Sequence, residues 1–346
     1  MIMAMNKTLT IRQMARIAGV SVATISRVTN PETRSMVAPD TCARIDALIA
    51  QHGYVPNMTA RNLSTPRTRT IGVVVPYVHN IFFSAYYSNI MAGVANALID
   101  TDYQFKVILL KPDVSLRAHY DFRGEGIEGL VMTQWFRFFK DKSVFEGMGI
   151  PCIHINDHDP QVPLKFICED SLMGGGLVAE HLRANGHRRV GVVTGASWSR
   201  DSLRRLAGFR RVWEEKGLTL PDELIAEGDF DEVPLTEAAA QRLLDKGVTA
   251  IFSCNDTMAF MIIRYLQAKG LRCPDDISVV GYDDDFRCAD FSPPVTTVRV
   301  SVYQVAVEAV SDLVTHIREH GRTPMSGEKW VPVELVSRGS VKNITV

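Results

Sequence analysis

Residues 11–29 read Ile11-Arg-Gln-Met-Ala-Arg-Ile-Ala-Gly19-Val-Ser21-Val-Ala-Thr-Ile-Ser-Arg-Val-Thr29. The first eight, IRQMARIA, place Ile11, Met14, Ala15 and Ala18 on one face of a short helix. Gly19 supplies the backbone freedom that ends it, and Val20 follows as an apolar anchor. Ser21 is an N-cap for a second helix, VATISRVT, over 22–29. Val20, Ile25 and Val28 then face inward, while Val22, Ala23, Ser26 and Arg27 face out. Two short helices joined by a glycine turn make a helix-turn-helix. Pro39 opens a third helix, PDTCARIDALIAQH, which buries Cys42, Ile45, Leu48 and Ile49 and stops at Gly53. Ala38, just before it, offers no side-chain cap acceptor.

The outward face of the second helix carries short side chains around Arg27. Small residues let a helix backbone approach base edges, and an arginine pairs bidentately with guanine. Thr10, Ser21, Thr24, Ser26 and Asn30 are placed to hydrogen-bond phosphates. Charge agrees with this reading. Residues 1–68 hold eight Lys/Arg against three acids, whereas the rest of the chain holds 30 basic and 36 acidic residues. A basic head on an acidic body is the footprint of a nucleic-acid-binding module joined to another function. The plainer alternative is a three-helix bundle that reads nothing.

From residue 70 the pattern changes to short, wholly apolar runs alternating with amphipathic helices. TIGVVVPYV, YQFKVILLK, IEGLVMTQ, IPCIHIND, RVGVVTG, TAIFSCND and ISVVGYDD read as buried strands, with a less clear helix over 115–125. Such strands belong to parallel sheets covered on both faces. The units are too many for one compact open sheet, so the α/β body divides into two lobes. Ligands of such sheets bind beyond the carboxyl ends of the strands. That position gathers His79, Asn80, Phe82 and Phe83; Thr133, Gln134 and Trp135; Asn156 and Asp157; Ser197, Trp198 and Asp201; Asn255 and Asp256; and Asp283 to Asp285. Aromatics, amides and carboxylates suit a hydroxyl-rich ligand such as a sugar.

Composition narrows the alternatives. With 46% hydrophobic and 22% charged residues among 346, the chain is an ordinary globular one. No apolar run reaches the roughly 20 residues of a membrane-spanning helix. The opening MIMAMNKTLT lacks the apolar stretch of a secretion signal, which favours a cytoplasmic location. Six cysteines form no C-x-x-C pair, so neither a zinc site nor a disulfide framework is expected. No metal or other cofactor is expected. The run Gly174-Gly175-Gly176 has neither dinucleotide nor P-loop spacing, and no nucleophile elbow or H-E-x-x-H occurs. Asp283, Asp284 and Asp285 could serve acid/base chemistry, yet no nucleophile or metal motif accompanies them. An enzyme is thus disfavoured, and a carbohydrate-active one stays the weakest alternative. A sugar-binding protein for transport is disfavoured by the head.

The stretches TLTIRQMARIAGVSVATISRVTN and HGYVPNMTARNLSTPRTRTIGVVVP resemble the lac/galactose repressor family, and the resemblance extends to about Ser340. It implies an all-α helix-turn-helix head over 8–56, a hinge over 57–68 and a two-lobed periplasmic-binding-protein-like body over 69–346. Lobe one would take about 69–168 and 299–328, and lobe two about 169–298 and 329–346, with crossovers near 166–171, 293–300 and 326–331. It implies base contacts from Val22, Ala23 and Arg27, phosphate contact from Asn57, and a minor-groove wedge at Leu63. The loop 30–37 is about two residues longer than the family usually has. The family's effector contacts fall on Phe83, Arg205 of Arg205-Leu-Ala-Gly-Phe209, Asn255, and Asp283 of Gly281-Tyr-Asp283. Trp135 and Asn156 join them from the strand ends, although Asn156 stands where several members carry Asp, and Ile81 replaces a common Pro. An ion pair linking the lobes is the plainer reading of Arg205 and Asp283. The implied function is a sequence-specific repressor, controlled by a small ligand such as a sugar, on near-palindromic double-stranded operator DNA. It would act as a homodimer through helix 83–100 (Tyr86, Tyr87, Ile90) and through 254–266, and no leucine heptads mark a tetramer.

Overall fold

The computed structural model describes residues 9–30, 33–54, 68–76, 84–110, 122, 124–133, 149–197, 199–230 and 232–345. Asn57, Leu63, Phe83 and Trp135 lie outside them, as do the hinge over 57–67 and most of the helix expected over 115–125. The chain divides into two compact units, Met1–Thr68 and Arg69–Val346.

In the first unit, helix α1 (Ile11–Ala18) opens on a capping box. The Thr10 hydroxyl accepts from the Gln13 amide at 3.3 Å, and Gln13 Oε1 accepts from the Thr10 amide at 2.9 Å. Gly19 ends α1 at φ 62°, a left-handed conformation that favours glycine. Helix α2 (Val22–Val28) begins at Ser21, whose hydroxyl accepts from the Thr24 amide at 3.1 Å. Helix α3 (Pro39–His52) starts without a side-chain cap at Ala38. Met14, Ala15, Ala18, Ile25, Val28, Cys42, Ile45 and Tyr54 form the core. Leu48 and Ile49 pack on it half-buried. Two arginines lock the helices together. Arg44 donates to the Ala18 carbonyl at 2.7 Å, so α3 satisfies an orphan acceptor at the end of α1. Arg34 donates to the Val28 carbonyl at 2.9 Å and forms an ion pair with Asp46 of α3. The long loop is thereby stitched to both α2 and α3.

The second unit holds a six-stranded and a four-stranded parallel sheet. Its elements run β1 (Thr70–Pro76), α4 (Ala85–Leu98), β2 (Gln104–Leu110), β3 (Ile127–Thr133), β4 (Cys152–Ile155), β5 (Lys165–Glu169), α5 (Ser171–Ala184), β6 (Val190–Thr194) and α6 (Arg200–Glu215). Then follow β7 (Ile225–Glu227), α7 (Val233–Leu244), β8 (Ala250–Ser253), α8 (Asp256–Ala268), β9 (Ser278–Val280), β10 (Thr297–Arg299), α9 (Val302–His320), β11 (Gly327–Val331) and β12 (Glu334–Val336). The larger sheet has the order β11-β5-β4-β3-β1-β2 and the smaller β7-β6-β8-β9, while β10 and β12 form an antiparallel pair.

Strand alternation sorts the core. Ile71, Val73 and Val75 join Ile153, Ile155 and Ile167 in one apolar cluster, whereas Val74, Cys152, Phe166 and Cys168 enter a second on the opposite face. Helices α4 and α9 cross closely: a Cβ at Gly93 would stand 2.4 Å from the Tyr303 carbonyl oxygen. Helices α5 and α6 cross the same way, because a Cβ at Gly175 would lie 1.9 Å from the Arg205 carbonyl oxygen and one at Gly208 would lie 2.0 Å from that of Leu172. The triple glycine thus serves close packing.

Three expectations need correction. Residues 165–169 and 327–331 are full strands paired with each other, so the lobe boundary drawn between 328 and 329 cuts through a strand of the larger sheet. Tyr87 and Ile90 are buried in their own core, so they cannot face a partner; Ser88 and Asn89 are the exposed positions there. The stretch 124–126 is a turn, not the end of a helix. Among the described residues, no helix is long and apolar enough to cross a membrane.

Candidate DNA-reading face and inter-sheet site

In the head, burial of Ile25 and Val28 fixes the rotation of α2. Val22, Ala23, Ser26 and Arg27 are therefore exposed together. Three of the expected phosphate donors also have local tasks. Thr10 and Ser21 cap helices, and the Thr24 hydroxyl lies 2.9 Å from that of Ser21. The Asn30 carbonyl accepts from the amides of Thr33 and Arg34, opening the loop. The candidate reading face is a short helix with both ends fixed and an uncluttered outer surface.

In the body, the ends of β4, β5, β8 and β9 meet the first turns of α6. Arg205 is the centre of this cluster and only 7% exposed. Its Nε and Nη2 donate to Glu169 Oε1 at 3.2 and 2.5 Å, and its Nη1 donates to the Cys254 carbonyl at 2.5 Å. Nη2 also lies 3.3 Å from Asp283 Oδ1. The guanidinium carbon sits 3.7 Å from the centre of the Tyr282 ring, a cation–π contact. Arg205 and Asp283 thus come together as expected, but the dominant partner is Glu169, on β5 of the other sheet.

Glu169 is itself pinned. Ser171 Oγ donates to its Oε1 at 2.8 Å, and its amide donates to Asn156 Oδ1 at 3.0 Å. Asn156, 1% exposed, also donates through Nδ2 to the Tyr86 hydroxyl at 3.3 Å. Its amide is therefore engaged on both sides, tying β4 to β5. Asn255 caps α8, accepting from the Met258 amide at 2.8 Å.

The neighbouring carboxylates divide by environment. Asp284 is held by Arg299 and Arg338, each at 2.6 Å, and Asp285 by Arg287 at 2.7 Å. Asp256 accepts from Thr297 Oγ1 at 2.7 Å and the Asp285 amide at 2.8 Å, yet its burial pushes the carboxyl up to about 7. Asp201 is pushed up to about 6 by burial and by Glu169, against the pull of Arg205. Asp157 is raised well above the usual carboxylate range by burial and by Asp201. The site collects negative charge around one arginine and retains protons as a result.

The backbone is strained where it carries these groups. Asn156 (φ 59°), Asp157 (φ 49°), Asp283 (φ 115°) and Asp284 (φ 54°) all have positive φ without being glycine. Such conformations cost roughly 1–3 kcal/mol each and persist only where surrounding structure enforces them.

Comparison with known proteins finds relatives of both units. Residues 10–57 match the bacterial regulatory proteins of the lacI family, and residues 179–341 match the periplasmic binding protein-like domain. The HTH-type transcriptional repressor PurR of Aliivibrio fischeri is 33% identical over 343 residues, which cover 96% of this chain and 98% of that protein. The HTH-type transcriptional regulator CelR of Thermobifida fusca is 30% identical, over 94% of this chain and 95% of its own length. Among solved structures, a CelR–cellobiose complex matches with a TM-score of 0.70 at 27% identity, covering 96% of this chain and 99% of that one. A Lac repressor bound to ONPG in the repressed state matches with a TM-score of 0.80 at 26% identity, covering 97% and 100%. With a helix-turn-helix in one unit, two parallel sheets in the other, and full-length relatives at this level of identity, the chain belongs to the lacI family of bacterial regulatory proteins.

Proposed function

We propose that the chain is a transcriptional repressor that binds a near-palindromic operator as a homodimer and releases or grips it in response to a small ligand held between the two sheets of its body. The observation that carries this reading is the outward set Val22, Ala23, Ser26 and Arg27 on a helix whose other face is fully buried. In this reading Val22, Ala23 and Arg27 contact bases, Thr10, Ser21, Thr24, Ser26, Asn30 and Asn57 contact phosphates, and Leu63 wedges the minor groove. The relatives' names support repression, and the cellobiose complex of CelR supports a sugar-like ligand. The chain acts by binding rather than catalysis, since its relatives are regulators and Asp284 and Asp285 are consumed by ion pairs. DNA as target places it in the cytoplasm.

Arg205, Asp283, Asn255, Asn156, Phe83 and Trp135 are the proposed ligand site. Glu169–Arg205 and Asp157–Asp201 both join the larger sheet to helix α6 on the smaller one. A ligand that favours one arrangement of the sheets shifts the population and so the operator affinity. The dimer face on the body includes the exposed Phe286 beside Phe260, Met261 and Phe291, around a groove of about 450 Å³.

The test is selection of genomic fragments by the purified full-length protein at a stated moderate salt, followed by sequencing. A shared palindrome with half-sites one helical turn apart is expected. Uniform retention that vanishes as salt rises would mean phosphate attraction alone and would defeat the reading.

A further inference from the structure

We infer that Glu169 sets the charge of the ligand: the floor of the inter-sheet site takes a molecule presenting hydrogen-bond donors, either hydroxyls or an ammonium, and turns away carboxylates and phosphates. The inference rests on the ligand-controlled reading above. An arginine in a binding site is ordinarily the group that receives an anion, through two parallel N–H bonds. Arg205 does not offer that edge. Its Nε and Nη2 already converge on Glu169 Oε1, its Nη1 is on the Cys254 carbonyl, and its face lies on Tyr282. An anionic ligand would have to displace a carboxylate that is 1% exposed and leave it buried without its cation.

Glu169 is not free to yield. Ser171 Oγ fixes its carboxylate and Asn156 Oδ1 fixes its amide. Glu169, Asp283 and Asp201 are the acids that act on Arg205, and none of them offers an anion a positive charge. Finally, Glu169 Oε2 is buried with no hydrogen-bond partner among the described residues, and the same holds for the Tyr282 hydroxyl. A buried carboxylate oxygen in this position wants a donor, and a ligand hydroxyl or ammonium supplies one.

The experiment uses the full-length protein and four probe classes at equal concentration: neutral monosaccharides and disaccharides, amino sugars, uronic acids and sugar phosphates. Calorimetry and thermal shift rank them. Binders are expected among the neutral and amino classes, with the matched acids weaker by about a hundredfold. Glu169→Gln frees one edge of Arg205 and should narrow that ratio by about tenfold. A uronic acid or sugar phosphate among the tightest wild-type ligands overturns the inference. So does a folded Glu169→Gln protein that keeps the wild-type ratio, and so does the absence of binding by both favoured classes. If Glu169→Gln does not fold, the wild-type ranking decides alone. Retention of a palindromic fragment is measured on the same preparation. If it persists while the ranking fails, only the charge inference falls; if it is absent, the regulator reading falls with it.

Discussion

The main-chain amide of Asp157, at the end of a strand in the larger sheet, points at both carboxylate oxygens of Asp201, at 3.1 and 3.2 Å, on a helix that packs against the smaller sheet. One strained residue therefore presents a donor and an acid to the same partner. The amide attracts Asp201, while the two carboxyls repel each other unless a proton is present.

Asp201 titrates near 6 when folded, above its unfolded value. A raised carboxyl favours folding at low pH, and that contribution is lost as pH climbs through the folded value. Asp201→Asn keeps an acceptor for the Asp157 amide and removes the repulsion. It should raise the melting temperature by about 2–4 °C at pH 8 and have little effect at pH 5. Differential scanning calorimetry at both pH values, read as a difference from wild type, cancels the contribution of His154, which burial depresses to about 3. An equal shift at both pH values would show that the repulsion is absent.

Arg27→Ala should weaken operator binding by about 1–3 kcal/mol and relax preference at one position of each half-site. Fluorescence anisotropy on operator and single-base variants reads both effects. A uniform loss across all sequences would make Arg27 a phosphate contact.

Gly175→Ala forces a methyl group onto the Arg205 carbonyl oxygen, so helices α5 and α6 must part. A loss of about 3 kcal/mol in urea unfolding is expected, together with weaker ligand binding. Operator binding measured without ligand should survive at a temperature where the protein is folded. Full stability in the variant would mean that the crossing gives way cheaply.

Phe286 is 78% exposed beside an apolar groove. Phe286→Asp should yield monomers in sedimentation velocity at micromolar concentration. Operator affinity should fall with it, since half-sites are then bound singly. A wild-type sedimentation coefficient would move the dimer face elsewhere.

Much of this architecture could be read from residue order. Ile25 and Val28 fix which side of the second helix is outward, and periodicity finds that without coordinates. Ser21 and Gly19 mark helix ends because their chemistry has few other local uses. The body is less legible where strands are short. Lys165–Glu169 has five residues and runs straight into a helix, so it reads as a connection between lobes. Once that strand is missed, its last residue escapes the search along strand ends, and Glu169 is the residue so lost. Pairing with Trp330 and its neighbours, far along the chain, makes 165–169 a strand, and no local pattern reports it. Likewise the family resemblance offers Tyr87 and Ile90 to a partner, and periodicity cannot correct it, because an apolar helix face looks the same whether it meets its own core or another subunit.

Asn156, Asp157, Asp283 and Asp284 hold their left-handed backbone at the point where the two sheets face each other. Copying their side chains onto another scaffold would not transplant this geometry, because the vectors belong to a main chain that relaxed loops do not adopt. Anyone redesigning the ligand preference should keep these four backbone positions untouched and vary only the groups that lean over them.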